Sequence, residues 1–383
     1  MKIPLTIPFI GDEEKKAANE VLDSGWLIQG KKVAEFEEMV CQYTGAKFAR
    51  ATSSCTTALH LTLLTLSIGK GDEVLVPSFT FVATANAVEY VGAKPVFIDI
   101  DLKTFTIDIK KVEEYLEHTG SKVRAIIPVH LFGLCANIDA IMDLAKRYNL
   151  LVVEDAACAL GSLYKGQHAG TFGKVGCFSF HPRKTITTGE GGMLITDDKD
   201  IANTAEKLRN QGASISGLAL HEKGGSLFPE FDVLGYNYRM TDIQGAIGVE
   251  QMKKVKRIIE GRIKKAKIYD EALKDVEWLQ IPFVPAGFNH TYQSYVVLLH
   301  SGSNTRNKIM AELAKKGIAT RQGTTAIHVL DYYKNKYEIK DNKYPNSFLA
   351  DKLSITLPLY HQMTDEEQRY VIENLLEVGR ALL

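Results

Sequence analysis

The chain carries no surplus charge, no paired cysteines, no long apolar run and no internal repeat, and each absence removes a class of function. Lys plus Arg and Asp plus Glu both number 46, so no overall field draws the protein to a polyanion, and nucleic acid is not expected as a partner. The 5 cysteines, Cys41, Cys55, Cys135, Cys158 and Cys177, are odd in number and lack CxxC spacing. Free thiols in a reducing cytoplasm are expected, with no disulfide framework and no metal site. Nowhere do about 18 apolar residues run together, so no membrane helix is expected. The opening residues MKIPLTIPFIGDEEKK lack the apolar core of a signal peptide, which makes a cytoplasmic protein the expectation. No G-x-G-x-x-G follows the first strand pattern, which sets aside a dinucleotide-binding Rossmann enzyme. The basic clusters Lys253-Lys-Val-Lys-Arg257 and Arg262-Ile-Lys-Lys-Ala-Lys267 read as the solvated face of a helix and not as a binding patch.

What is present is an ordinary globular composition, 45% hydrophobic and 24% charged over 383 residues, enough for a large core and a smaller one. From about residue 47 short β-rich runs alternate with helical patterns. The strand candidates are Glu73–Pro77, Pro95–Asp99, Arg124–Pro128, Leu151–Glu154, Cys177–Phe180 and Met193–Thr196, and their nearly continuous apolar character suits strands covered on both faces. Helix candidates lie around 56–67, 81–91, 109–118, 137–148 and 199–210. This order predicts an α/β fold with a mainly parallel sheet. After Thr241-Asp-Ile-Gln244 a long charged helix runs to about 273. A β-rich run His290–His300, a helix near 304–316 and a C-terminal helix from about Asp365 follow. The expected division is a large domain over 1–245 and a smaller α+β domain over 246–383, hinged on the long helix.

Three segments carry chemistry. Ala51-Thr-Ser-Ser-Cys-Thr-Thr-Ala-Leu-His-Leu61 places small hydroxylated residues where the first N–H groups of a helix lack partners, an arrangement that can hold a phosphate. Ordinary capping by Thr52, Ser53 or Ser54 explains the same residues. Leu151-Val-Val-Glu-Asp-Ala-Ala157 is a buried strand ending in two carboxylates, and ligands of open α/β sheets sit at the carboxyl ends of strands. A buried Asp155 requires a cationic partner: a protonated pyridine nitrogen, an Arg or a helix N-terminus would each serve. Phe178-Ser-Phe-His-Pro-Arg-Lys-Thr-Ile-Thr-Thr-Gly-Glu-Gly-Gly-Met193 runs from strand through a tight turn into strand, and so presents Lys184 at the sheet edge. A lysine that forms an imine and later moves a proton needs an amine pKa below its free value, which burial beside another cation would provide.

The whole chain resembles the DegT/StrS group of nucleotide-sugar aminotransferases, which adopt the aspartate-aminotransferase (type I) fold of pyridoxal 5′-phosphate (PLP) enzymes. The matching stretches, in order, are Ser24-Gly-Trp-Leu-Ile-Gln-Gly30, Ser53–Leu59, Pro77-Ser-Phe-Thr-Phe-Val-Ala-Thr-Ala-Asn86, Glu154–Ala157, Phe178–Gly192, Gly235–Gln244 and Leu357–Glu367. The resemblance implies that Lys184 bonds the cofactor as a Schiff base and shuttles a proton, and that Asp155 pairs with the pyridine nitrogen and keeps the ring an electron acceptor. It further implies that Thr56, Thr57 and Ser179 hold the phosphate, that Phe81 stacks on the ring, and that Asn237 reaches the phosphate of a neighbouring subunit in a homodimer with shared sites. Cys158 stands where many relatives have Gln or His against the ring hydroxyl, and a thiol is a poor donor. Trp26, His181, Arg239 and His328 are the candidate substrate contacts, although Gln322–His328 lacks the Tyr/Pro-rich wording usual there.

The implied reaction passes an amino group from glutamate to the cofactor and then to a nucleotide-linked keto-sugar. His181-Pro182 and Thr187–Gly192 are similar to members acting at C4 of 4-keto-6-deoxy sugars, where C3-acting members have Tyr at the His position. Two rivals stand beside this reading. A sugar dehydratase on the same scaffold would carry His in place of Lys184, and a non-catalytic sensor would not need the intact set of Lys184, Asp155 and Ser179.

Overall fold

A computed structural model describes residues 1–119, 122–215 and 229–382. Its centre is a seven-stranded sheet of β1 (Phe48–Thr52), β2 (Glu73–Pro77), β3 (Lys94–Ile98), β4 (Val123–Ile126), β5 (Leu151–Asp155), β6 (Val175–Ser179) and β7 (Gly192–Thr196), in the spatial order β1-β7-β6-β5-β4-β2-β3. The run from β6 to β3 is parallel, and β7 and β1 add antiparallel pairs at one side. β2 and β7 are buried at every position, as strands covered on both faces must be. The helices α1 (Asp12–Ser24), α2 (Lys31–Thr44), α3 (Cys55–Thr65), α4 (Ala83–Tyr90), α5 (Ile109–Thr119), α6 (Ile138–Tyr148) and α7 (Lys199–Arg209) precede the long α8 (Asp242–Leu273).

Each expected strand is present within a residue or two of its predicted bounds, and so are the expected helices. β1 has no counterpart in the sequence reading; its five residues include Arg50, half-buried where the strand lines the sheet's edge. α8 starts at a capping box: the Gln244 N–H donates to the Thr241 hydroxyl (3.3 Å), and the Thr241 N–H donates to Gln244 Oε1 (3.0 Å). Asp242, one residue on, also caps α2, accepting from the N–H groups of Gly30 (2.8 Å) and Val33 (3.0 Å).

One stretch of α8, including Val249, Val255 and Ile259, packs in the cluster beside α2 and β7. Farther along, Ala266, Tyr269 and Leu273 pack with the smaller antiparallel sheet of β8 (Leu279–Gln280), β9 (Tyr295–Leu299) and β10 (Ser354–Leu357). α9 (Ser303–Lys315) and α12 (Asp365–Leu382) complete that cluster, and the N-terminal arm joins it through Ile3, bridged to Ile318. α10 (Asp331–Lys336) and α11 (Pro345–Leu353) lie between α9 and β10 in the chain. Ile327, Tyr333 and Ile339 return to pack with α3 and α4.

The solvated face expected for the second basic cluster holds for Lys264 and Lys267, which are exposed, and is corrected for Arg262 and Lys265. Arg262 and Lys265 are 3% and 8% exposed. Arg262 donates to the carbonyls of Gln293 and Leu359, each at 3.1 Å, because the loops of the smaller sheet and the arm close over that side of α8. No described helix is long and apolar enough to cross a membrane. Among the described residues no His, Cys, Asp and Glu side chains gather as a metal site.

Candidate active site

The carboxyl ends of β5 and β6 and the N-terminus of α3 open onto a cavity of about 380 Å³, the position and size expected of a ligand site in an open α/β sheet. Thr6 of the arm and Gln293, Arg321 and Thr356 of the smaller half close it from the far side.

Successive residues of a strand face opposite ways, and the end of β5 uses this to separate two carboxylates. Glu154 turns away from the cavity and is wholly buried. It accepts from the N–H groups of Gly170, Phe172 and Gly173, each at 2.7 Å, and from His130 Nε2 at 2.8 Å. His130 Nδ1 accepts from the Ala136 N–H at 3.0 Å, which assigns the ring proton to Nε2. Asp155 turns into the cavity, where it accepts from the Thr84 hydroxyl at 2.7 Å and the Ala157 N–H at 3.2 Å. A carboxylate has about four acceptor positions, so Asp155 retains capacity for a donor from a ligand.

On the same cavity, α3 is capped by Ser54, whose hydroxyl accepts from the Thr57 N–H at 3.2 Å, while Thr57 Oγ1 accepts from the Ser54 N–H at 3.1 Å. Ser54 is therefore the cap among the three candidates. Thr57 is spent on this box and does not line the cavity, which corrects its expected place as a ligand contact; Thr56 does line it. The N–H groups of Cys55 and Thr56 have no acceptor within the helix and remain for an anion. Ser179, at the end of β6, adds its hydroxyl to the same wall. Gly192 allows this approach: a Cβ there would lie 2.2 Å from Ser54 C and 2.3 Å from Cys55 N.

Lys184 sits in a turn closed by its own N–H to the His181 carbonyl (2.8 Å) and by the Phe180 N–H to the Gly191 carbonyl (2.9 Å). Its amine donates to Cys158 Sγ at 3.0 Å. Burial works against charge on this amine, but the Cys158 sulfur and, more weakly, Cys55 and Asp155 outweigh it and hold the amine above its usual range. The sequence expectation of an amine lowered beside a cation is thus reversed: sulfur and carboxylate surround the nitrogen. Cys158, which the sequence left without a firm role, is the immediate partner of Lys184.

His181 and Phe81 line the cavity as well. Phe81 is 67% exposed and precedes α4, so it is not a core residue of that helix. His181 Nδ1 accepts from the Arg183 N–H at 3.2 Å, and burial lowers the pKa of the ring. His328, by contrast, is wholly buried away from the cavity, between the Ser78 hydroxyl (2.6 Å) and the Asp341 carbonyl (2.9 Å), and its expected place at a substrate is corrected to a structural one. Trp26 and Arg239 do not line this chain's cavity. Trp26 lies over Gly30 beside Asp242, and Arg239 donates to Asn210 Oδ1 at 2.9 Å. Asn237 is exposed outside it. Among the lining residues not singled out from the sequence are Thr84, Arg183 and Arg321. Thr84 lay within the matching stretch Pro77–Asn86, and Arg183 beside Lys184; nothing local marked Arg321.

The model of the DegT/DnrJ/EryC1/StrS aminotransferase family matches residues 8–376. The chain belongs to that family. It is 36% identical to the spore coat polysaccharide biosynthesis protein SpsC of Bacillus subtilis, over 98% of this chain and 97% of that one. With the GDP-perosamine synthase of Escherichia coli O157:H7 it shares 35% identity over 98% of each chain. Its fold matches the Streptococcus pneumoniae protein Spr1654 in its PLP form with a TM-score of 0.92, at 29% identity and full coverage of both chains. The type I fold expected from the sequence is the fold observed, and the chain is a PLP-dependent aminotransferase. The cavity fits that cofactor: free helix N–H groups and two hydroxyls suit a phosphate, a carboxylate with spare acceptor positions suits a ring N–H, and an amine lines the same cavity.

Proposed function

We propose that this aminotransferase moves an amino group from glutamate to a nucleotide-linked keto-sugar, most specifically a 4-keto-6-deoxy sugar, with Lys184 and Asp155 as its catalytic residues. The observation that carries the reading is the convergence of the Lys184 amine, the Asp155 carboxylate and the uncapped N–H groups of α3 on one cavity. PLP, when bound, supplies the electron sink and the carrier of the amino group. The rest is work for the chain. Asp155 would hold the ring nitrogen in its protonated state, and Thr84 fixes the rotamer of Asp155. The N–H groups of Cys55 and Thr56, with the hydroxyls of Thr56 and Ser179, would bind the phosphate, and Phe81 would hold the ring. Lys184 Nζ takes a proton from the donor carbon and returns it to the acceptor side, and Cys158 Sγ positions that nitrogen.

The sugar acceptor is supported by the names of the relatives, two of which concern polysaccharide or nucleotide-sugar chemistry. His181 at the mouth, with a ring favoured neutral, suits a hydrogen bond to a sugar hydroxyl. A homodimer with shared sites is part of the same reading. Phe231 and Leu234, 64% and 85% exposed, lie just before Asn237 in the chain, and a second copy covering them would bring Asn237 to its partner's phosphate end.

Absorbance spectroscopy of wild type and Lys184→Ala, before and after glutamate, tests the catalytic assignment. The wild type is expected to show the visible band of lysine-bound cofactor, bleached by glutamate, and the variant to lack that band. Identical spectra for the two proteins would remove Lys184 from its role.

A further inference from the structure

Two reactive side chains from neighbouring strand ends meet inside the cavity. Cys158 follows the end of β5 and Lys184 lies in the turn after β6; both line the cavity, and the Lys184 amine donates to Cys158 Sγ at 3.0 Å. The other cysteines have different surroundings. Cys55, Cys135 and Cys177 are buried, and burial raises the thiols of Cys55 and Cys177. Cys41 is half-buried but does not line the cavity, and burial pushes its thiol up to about 11. Cys158 alone of these combines partial exposure, an open cavity and an amine against its sulfur, the surroundings of a cysteine open to oxidation.

We propose that Cys158 and Lys184 form a reversible oxidation site: hydrogen peroxide oxidises the thiol, and the Lys184 amine then captures the sulfur as a sulfenamide, a direct Sγ–Nζ bond. In the first step a sulfur lone pair attacks one peroxide oxygen; an S–O bond forms, the O–O bond breaks, and the thiol becomes a sulfenic acid with loss of water. In the second the Nζ lone pair attacks sulfur; the S–N bond forms, the S–O bond breaks, and the hydroxyl leaves as water with one proton of the amine. Sulfur gives up two electrons and the peroxide accepts them, so thiol, amine and peroxide yield the sulfenamide and two waters. The flexible stem of the lysine covers the remaining distance. The amine must attack unprotonated. Burial is the largest influence on it and opposes its charge, which the Cys158 sulfur chiefly sustains; a neutral sulfenic acid withdraws that support. The sulfenamide blocks Lys184 until an external thiol opens the bond by attack at sulfur. The bond rests on the geometry of the pair, and its effect on turnover rests on the proposed role of Lys184. That nitrogen is open to sulfur only while it is not bonded to cofactor, so the enzyme already aminated by glutamate is the sensitive form.

Peptide mass analysis without reductant tests the bond, on PLP-loaded enzyme and on enzyme pre-treated with glutamate, each given limiting hydrogen peroxide. The glutamate-treated enzyme is expected to yield the Cys158 and Lys184 peptides joined, lighter by two hydrogen atoms than their sum, and to lose turnover; excess thiol should restore both separate peptides and the rate. The PLP-loaded enzyme should resist. Cys55→Ala should keep the crosslink. Cys158→Ser should lose it, and its rate after peroxide should match its own rate before. In Lys184→Ala the sulfur should stop at the sulfenic acid, heavier by one oxygen and trapped by dimedone. A Cys158 that gains only oxygen in the glutamate-treated wild type, or a crosslink that joins Cys158 to Cys55, would overturn the proposal. A Cys158–Lys184 crosslink that forms equally in the PLP-loaded enzyme would leave the bond standing and remove Lys184 from its role on the cofactor.

Discussion

Two neighbouring carboxylates at the end of β5 have opposite surroundings, and the contrast says which one is chemical. Glu154 accepts four hydrogen bonds of 2.7 to 2.8 Å from a loop and from His130, which saturates it. Asp155 accepts from one hydroxyl and one N–H and keeps room for another donor. Both are buried, so burial alone does not separate them. A saturated buried anion is a fastener, and an unsaturated one facing a cavity waits for a ligand.

The largest effects should come from breaking each carboxylate in turn. Asp155→Asn removes the charge that would hold a ring proton; losing one partner of a buried ion pair costs about 3–5 kcal/mol, or roughly 10²- to 10⁴-fold in rate. Its thermal midpoint should stay close to wild type. Glu154→Gln should do the reverse: two of the four donors meet an amide that cannot accept them fully, unfolding free energy falls by about 3 kcal/mol, and the folded fraction keeps its turnover. Denaturant melts and steady-state rates on the same two proteins check this. A Glu154→Gln variant that is stable but inactive would erase the distinction.

The distinction was half legible in the sequence. Leu151–Asp155 announced itself as a buried strand with acids at its carboxyl end, and Lys184 and Ser179 lay in one readable turn, because these features depend on neighbours along the chain. Which acid faced the cavity followed from strand alternation only once the side occupied by Gly170–Gly173 was known. Features made by distant approach stayed hidden. Thr84 meets Asp155 only when α4 docks on the sheet, Arg321 arrives on a loop of the smaller half, and His328 looked like a substrate residue until Ser78 and Asp341 enclosed it. Arg262 misled for the same reason: a basic run on a long helix reads as solvated when the loops that bury it come from residues 292 to 359. Cap chemistry, being local, starts α8 at Asp242, just inside the Thr241–Gln244 stretch after which the sequence placed the long helix.

Acid should sharpen the contrast from the Glu154 side. The loop that holds Glu154 also carries His168, whose Nε2 accepts from the Gly161 N–H at 2.7 Å and whose Nδ1 donates to the Ala169 carbonyl at 2.6 Å, so the ring is held neutral. Burial pushes its pKa down to about 4. The unfolded ring titrates near 6.5, so the neutral ring's stabilising contribution is whole above about pH 6.5 and is lost as pH falls toward 4, up to about 3 kcal/mol. His168→Asn should lower stability at pH 7.5 and flatten the decline between pH 6.5 and 4 in denaturant melts. An unchanged slope would place the acid sensitivity elsewhere, His290 being the next buried ring with a lowered pKa.

The smallest change tests whether Asp155 is poised by its own support. The Thr84 hydroxyl donates to Asp155 Oδ2 at 2.7 Å and stands 3.3 Å from the Thr80 hydroxyl, so a short chain of hydroxyls sets the direction in which the free oxygen positions point. Thr84→Val keeps the shape and removes the donor. A hydrogen bond to a charged group contributes about 1.5–3 kcal/mol, and part of that is regained because Asp155 becomes a better acceptor for a ring N–H once the competing donor is gone. The two effects oppose each other, so the rate should fall by only about 10-fold, while the pH at which the cofactor's visible band changes should move. Thr84→Ser, which restores the donor, should return both quantities to wild type. A rate loss in Thr84→Val with an unmoved spectral pH profile would mean that the threonine acts by packing alone, and that the carboxylate facing the cavity needs no holder beyond the strand it ends.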